Sequence, residues 1–392
     1  MKVPLLDLKP QYRALKGEID AAIERICDSQ HFILGPAIKE LEAGIAAYCQ
    51  VPHGIGVSSG TDALLLALMA LDIKQGDAVI TSSYTFFATG GTIARSGARP
   101  IFLDIDPVTF NLSPALLRRF LEQDCERRGG ALVHKASGST VRALMPVHLY
   151  GQLADMARLM PIAREYGLKV IEDAAQAIGA ADAAGKRACS FGDIGCLSFF
   201  PTKNLGAFGD AGACVAQDAD LAKHMAILRV HGMEPKYYHA FVGGNFRIDE
   251  IQAAVLNIKL KHLDSWSEGR QRNAAYYDQA FAAAGLSTGA NPQVVTPVAM
   301  PGYRHIYNQY VIRVPRRDAL RAFLHESGVG CEVYYPVPLH QQQCFAYLGY
   351  RTGDLPESER AAAETLALPI YPELATDQLQ YVVDSIGRFF AM

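Results

Sequence analysis

Long apolar runs are missing from this sequence. The longest, Ala63–Leu71, spans nine residues, about half of the ~18 to 20 that a membrane-crossing helix requires. The opening stretch MKVPLLDLKPQYRALKGEID carries charge where a signal peptide would need its apolar segment, so a cytoplasmic location is expected. Excess charge is missing too. A formal net charge of −3 gives no basic surface for nucleic acid or an anionic membrane, which leaves a small molecule as the expected ligand. The eight cysteines include no C-x-x-C pair, so neither a zinc site nor a disulfide framework is indicated, and reduced, mostly buried thiols are expected. Two nucleotide motifs are also lacking. Between Gly54 and Gly60 the third glycine falls one position late for G-x-G-x-x-G, and no G-x-x-x-x-G-K-[ST] occurs.

What is present is material for large cores: 392 residues, 50% of them hydrophobic and 20% charged. The first two-thirds alternates short apolar runs with helical periodicity, the arrangement of an α/β sheet. GIGVSS, DAVITSS, RPIFLDID, RALMPVHLY, LKVIEDAA, IGCLSFF and GACVA read as strands, several apolar throughout, as parallel strands covered on both faces are. Helices are expected over 61–71, 113–123 and 153–166. The segment 249–284 reads as helix interrupted at Gly269 and as the link between two domains. After a Gly- and Pro-rich loop, YNQYVIRV, a helix near 318–326 and CEVYYPV suggest a smaller α/β unit.

The motif SSGTDALLLALMAL is a glycine turn running into a strong helix, whose first-turn N–H groups and dipole favour an anion. Thr61 adds a hydroxyl. A plain N-cap, which needs no ligand, accounts for the same residues. Gly56–Gly60 also fits G-x-S-x-G between a strand and a helix, which keeps a serine hydrolase centred on Ser58 open as an alternative.

In VIEDAAQAIGA, Asp173 ends an apolar strand, where a carboxylate is costly without a cationic partner. A cap or an ordinary ion pair is the simpler account. Thirty residues later Lys203 follows another apolar run in SFFPTKNLGAFGDAG, so both side chains are expected at one sheet edge, where α/β proteins bind ligands. A lysine taken at random is a solvated one. Here, however, the small residues around Lys203 are expected to leave room for a bulky group, and Ser198 offers a nearby hydroxyl. A desolvated amine titrates below its free value and attacks carbonyl carbons. A Schiff-base lysine, a carboxylate for a pyridine nitrogen and a phosphate cradle are together what pyridoxal phosphate requires. Phe86, in SSYTFFATGG, is a candidate stacking platform, although core packing is the commoner fate of a phenylalanine.

In their order along the chain, LDLKPQY, FILGPAIKELE, GTDAL, YTFFAT, MPVHLYGQLADM, VIEDAAQAIGA, SFFPTKNLGAFGDAG, GGNFRIDEIQAA and VYYPVPLH resemble the DegT/StrS-type sugar aminotransferases. The resemblance implies a pyridoxal phosphate fold of type I, like aspartate aminotransferase: an α/β large domain with a mostly parallel sheet sandwiched by helices, and a smaller C-terminal α/β domain. It places the N-terminal arm and large domain at 1–262 and the small domain at 263–392. It implies that Lys203 forms the Schiff base and shuttles protons, that Asp173 pairs with the pyridine nitrogen, and that Gln176 contacts the phenolic oxygen. Phe86 would stack on the ring, and Gly60, Thr61 and Ser198 would hold the phosphate. Asn245 would reach the cofactor of a neighbouring subunit, implying a homodimer with shared sites. Arg247, Tyr334, Tyr335 and His340 would line the sugar-nucleotide side.

Relatives that remove a sugar hydroxyl have histidine at the position of Lys203, so the resemblance implies transamination, with L-glutamate as donor, pyridoxamine phosphate as the intermediate form and a nucleotide-linked keto-sugar as acceptor. No metal is implied. Asn308-Gln309-Tyr310 departs from the usual His-x-aromatic pattern of the sugar contact, and YNQYVIRV followed by VYYPVPLH resembles enzymes that aminate C3 of UDP-linked 3-keto sugars, with C4 the alternative. A non-catalytic regulatory relative of the same fold is a further alternative. The segment 122–142, polar and longer than in most relatives, is expected to be a surface loop.

Overall fold

A computed structural model describes residues 1–392. Its strands are β1 (His53–Val57), β2 (Asp77–Ser82), β3 (Arg99–Leu103), β4 (Cys125–Arg128), β5 (Ala131–His134), β6 (Thr140–Met145), β7 (Lys169–Asp173), β8 (Ile194–Ser198), β9 (Gly212–Ala216), β10 (Tyr310–Arg313) and β11 (Thr365–Leu368). The main sheet runs β1-β9-β8-β7-β6-β2-β3. From β8 to β3 every pairing is parallel, while β9 is antiparallel to both its neighbours.

Alternation along the strands feeds two separate cores, as a sheet covered on both faces must. Ile171 and Cys196 pack with the helix Gly60–Ala70 on one side, whereas Val170 and Leu197 join different clusters on the other. The helices start and stop on local chemistry. Ser113 accepts from the Leu116 N–H with Pro114 in the first turn, Asp218 accepts from the Leu221 N–H, and Gly167 closes Met156–Tyr166 in the left-handed region.

A further core gathers around the β10–β11 ribbon, beneath helices Leu263–Ala283, Arg317–Glu326 and Thr376–Ala391. Val3 belongs to this core and bridges Val329, so the N-terminal arm packs with the later part of the chain.

Three sequence expectations change. The segment 249–284 is two helices, Glu250–Leu260 and Leu263–Ala283, and Gly269 lies inside the second. A Cβ there would stand 2.9 Å from Pro372 Cβ, so glycine permits a close crossing and does not break the helix. CEVYYPV forms no strand; only Glu332 bridges Ala367, and β11 takes the place beside β10. The expected loop at 122–142 contains the β4–β5 hairpin, turned by Gly129 and Gly130 with φ of 56° and 85°. A two-residue turn with both central residues at positive φ matches the twist of the flanking strands.

Candidate active site

The carboxyl ends of β7 and β8 lie side by side, with Asp173 opposite Cys196 in a parallel register. β8 ends at Ser198, and Lys203 follows in a turn closed by its own N–H to the Phe200 carbonyl at 2.9 Å. Between these ends and the start of helix Gly60–Ala70 is a cavity of about 490 Å³, of the size and placement expected for a ligand site at a sheet's carboxyl edge. Lys203, Asp173, Gln176, Ser198, Gly60 and Thr61 all line it, as do Phe86, Tyr334 and Tyr335.

Asp173 is buried. Its Oδ2 accepts from the Thr89 hydroxyl at 2.8 Å and its Oδ1 from the Ala175 N–H at 3.2 Å, and it belongs to none of the protein's ion pairs. Burial therefore raises its pKa above the ordinary carboxylate value, although Thr89, Ala175 and the charge on Lys203 pull the other way. Lys203 Nζ makes no hydrogen bond within the chain. Burial lowers its pKa to about 8, opposed only by Asp173.

The anion cradle has a simple cause. Ser59 caps the helix by accepting from the Asp62 N–H at 3.0 Å, while the N–H groups of Gly60 and Thr61 have no intrahelical partner. A Cβ on Gly60 would lie 2.6 Å from Ser198 Cβ, so glycine lets the helix start meet the end of β8. The N-cap and the cradle thus coexist. The glycines after Lys203 serve differently from the expected clearing of space. A Cβ on Gly206 would strike the Pro201 carbonyl oxygen at 2.2 Å, and one on Gly212 the Ser59 backbone at 2.6 Å. They allow backbone to pack on backbone.

Phe86 is 57% exposed at the N-cap of helix Phe87–Arg95, with its ring 6.0 Å from that of Tyr335, which excludes the core-packing account. Gln176 is held from both sides: its Oε1 accepts from the Tyr150 N–H at 2.7 Å and its Nε2 donates to the Tyr335 hydroxyl at 3.0 Å. Ser59, Thr85, Thr202, Asp210 and Gln309 add to the polar wall; of these Gln309 stood in the Asn308-Gln309-Tyr310 stretch, while nothing in the sequence singled out Thr85, Thr202 or Asp210 as site residues. Thr89, in the first turn of helix Phe87–Arg95, was equally silent.

Three expected residues lie elsewhere. His340 is buried, with its Nδ1 at 2.6 Å from Ser83 Oγ and its Nε2 at 3.0 Å from Glu359 Oε1, so both ring nitrogens are engaged and it does not line this cavity. Asn245 bridges Val230, and Arg247 bridges Val57; neither lines this cavity, and Arg247 Nε is buried without a partner. The hydrolase alternative also fails on geometry. The Ser58 hydroxyl donates to Asp62 Oδ2 at 2.6 Å with no histidine partner, and Ser58 lacks the positive φ of a strained elbow.

The donor set fits a phosphorylated pyridine aldehyde: a buried carboxylate outside any ion pair, an amine without a hydrogen-bond partner, and unpaired N–H groups at a helix start lie on one cavity. All eight cysteines are free, with Cys27 and Cys344 exposed and the others buried. No helix is long and apolar enough to cross a membrane.

Residues 13–387 match the DegT/DnrJ/EryC1/StrS aminotransferase family. A Geobacillus stearothermophilus protein named pleiotropic regulatory protein is 49% identical over 390 residues, covering 100% of this chain and 99% of that one. The UDP-N-acetyl-3-dehydro-alpha-D-glucosamine 3-aminotransferase of Acidithiobacillus ferrooxidans is 40% identical over 386 residues, covering 98% and 97%. The crystal structure of S. venezuelae DesV in complex with a ketimine intermediate matches with a TM-score of 0.90 at 40% identity, covering 99% of this chain and 98% of that one.

Proposed function

The chain belongs to the DegT/DnrJ/EryC1/StrS aminotransferase family, a pyridoxal phosphate-dependent sugar aminotransferase of fold type I, and on that premise we propose that it transfers the amino group of L-glutamate to C3 of a nucleotide-linked keto-sugar. The observation that carries the catalytic assignment is the convergence of Lys203, Asp173 and the start of helix Gly60–Ala70 on one cavity. The choice of C3 is supported by the relative named as a 3-aminotransferase. A regulatory name attaches to another relative, but a purely regulatory protein would have no use for a buried, unpaired carboxylate beside a desolvated amine.

Pyridoxal phosphate, when bound, supplies a carbonyl carbon that takes up an amine and a ring that accepts the electrons left by a departing proton. Lys203 Nζ, desolvated and free of hydrogen bonds, is the group that removes the donor's α-proton and returns a proton on the acceptor side. Asp173, fixed by Thr89 and Ala175, holds a proton on the ring nitrogen. Gly60, Thr61 and Ser198 would hold the phosphate, Phe86 would offer a stacking surface for the ring, and Gln176, itself fixed by Tyr150, would meet the phenolic oxygen. Tyr334 and Tyr335 serve the sugar-nucleotide side.

The protein works in this reading as a cytoplasmic homodimer, with Asn245 reaching the neighbouring site. Exposed apolar residues just before Asn245 support this: Tyr237 is 77% and Val242 92% exposed, as a surface awaiting a second copy would be.

Because Lys203 titrates at about 8, its amine is protonated below that pH and neutral above it. Capture of pyridoxal phosphate by the ligand-free chain should therefore accelerate as pH rises through 8 and then level off, followed by stopped-flow absorbance. A flat profile would contradict the assignment. The acceptor is tested by loading the amine form of the cofactor and offering 3-keto and 4-keto UDP- and dTDP-sugars. Return of the aldehyde-form absorbance with a 3-keto sugar is the expected result, and preference for a 4-keto sugar would move the reaction to C4.

A further inference from the structure

Beside the main cavity lies a smaller one of about 100 Å³, which shares Thr202, Gln309 and Tyr334 with it. Its other polar lining is Arg270 and Asn308, and the rest is apolar, from the N-terminal arm, β11 and Ile370 just after it. Arg270 stands on helix Leu263–Ala283 and is only 4% exposed. Its Nη1 donates to the carbonyl oxygens of Tyr307 at 3.0 Å, Asn308 at 3.3 Å and Ile370 at 2.9 Å. Its Nε and Nη2 donate to nothing in the chain, and no carboxylate lies within ion-pair distance; the influence of Glu373 is felt only from beyond that range.

A guanidinium this buried is ordinarily paired with an anion. Three carbonyl dipoles offset part of the charge, and none of them neutralises it. Burial lowers the pKa of Arg270 to about 10, which leaves it cationic at neutral pH.

We propose that this smaller cavity is a carboxylate subsite, with the free Nε and Nη2 edge of Arg270 as its anchor. The fork formed by Nε and Nη2 matches a planar carboxylate in two-point contact. One positive charge answers one negative charge, and the volume, that of about three waters, admits a carboxylate on a short stem and excludes a sugar ring. Two substrates of the proposed reaction bring such a group: the amino donor, and a keto-sugar oxidised to a uronate. Since Thr202 immediately precedes Lys203, a carboxylate seated here belongs to a molecule whose reacting carbon enters the main cavity. This inference rests on the aminotransferase reading for its choice of ligands.

The test uses glutarate and D-glucuronate as probes of the ligand-free chain, measured by titration calorimetry, so that no cofactor chemistry enters the readout. Arg270→Gln removes the anchor. Asn308→Asp keeps the three carbonyl contacts and places a competing carboxylate on the wall, which preserves the test if Arg270→Gln fails to fold. Wild-type binding of glutarate, weakened ~10- to 100-fold in Asn308→Asp, assigns the subsite to the amino donor. The same pattern with glucuronate alone assigns it to the sugar. Failure of the wild type to bind either probe, or equal affinity in wild type and variant, would overturn the subsite. The aminotransferase reading is checked apart from it, by whether the wild-type holoenzyme converts L-glutamate to 2-oxoglutarate in a single turnover.

Discussion

Lys203→Ala is expected to abolish transamination, lowering turnover by ~10⁴-fold or more, because one substitution removes both the amine that anchors the cofactor and the base that moves its proton. The prediction is specific to this lysine. Lys259 is also buried, and its pKa is likewise lowered to about 8. Its ammonium, however, donates to the Gly206 carbonyl and stands over the Phe208 ring, so it holds the far side of the turn that carries Lys203 and does not line the cavity. A low pKa alone therefore does not identify the catalytic amine. An empty donor aimed into the cavity does. Steady-state assays of Lys203→Ala and Lys259→Ala, with pyridoxal phosphate supplied in excess, separate the two. The first should be inactive while unfolding like the wild type, and partial recovery on adding methylamine would confirm that only the amine was lost. Retained transamination by Lys203→Ala would remove the mechanism proposed above.

Much of the large sheet was legible because its strands are buried on both faces and so appear as unbroken apolar runs. The β4–β5 hairpin was not, because Glu126, Arg127 and Arg128 break any apolar pattern and its only link to the sheet is the pairing of Val133 with Thr140. Its one signal was Gly129-Gly130 between two four-residue stretches. The site was legible where chemistry restricts the residue type, as at Lys203 and Asp173. It was less legible where the sequence gives a location without a direction. His340 follows Tyr335 by five positions, yet its ring turns to Ser83 and Glu359. The glycines near Lys203 illustrate the same gap, since a missing side chain permits either an open space or a close contact, and only the fold decides. Thr89, 84 positions before the carboxylate it holds, is brought there by the order of strands in the sheet.

Asp173→Asn is the sharper probe, because it should move activity and stability in opposite directions. In the ligand-free chain the carboxylate is buried with two hydrogen bonds and no cation at ion-pair distance, and burial raises its pKa despite the charge on Lys203. A carboxyl whose folded pKa exceeds its unfolded value costs stability as pH rises from the unfolded pKa through the folded one, and the full cost is present above both. Asparagine carries no such charge. Its Oδ1 can keep the Ala175 N–H, and its amide can donate to Thr89, whose hydroxyl then turns toward Thr85 Oγ1 at 3.0 Å. The ligand-free variant should therefore unfold at the same or higher denaturant concentration at pH 7, and the difference should shrink as the pH falls through the range in which Asp173 takes up its proton. The holoenzyme should lose on the order of 10² to 10³-fold in turnover, the scale of a lost preorganised charge, because nothing then keeps the ring nitrogen protonated. Urea unfolding of the ligand-free chains and single-turnover kinetics of the loaded ones make the comparison. A variant that is less stable and fully active would show that Asp173 is a structural residue and that the ring's charge partner lies elsewhere.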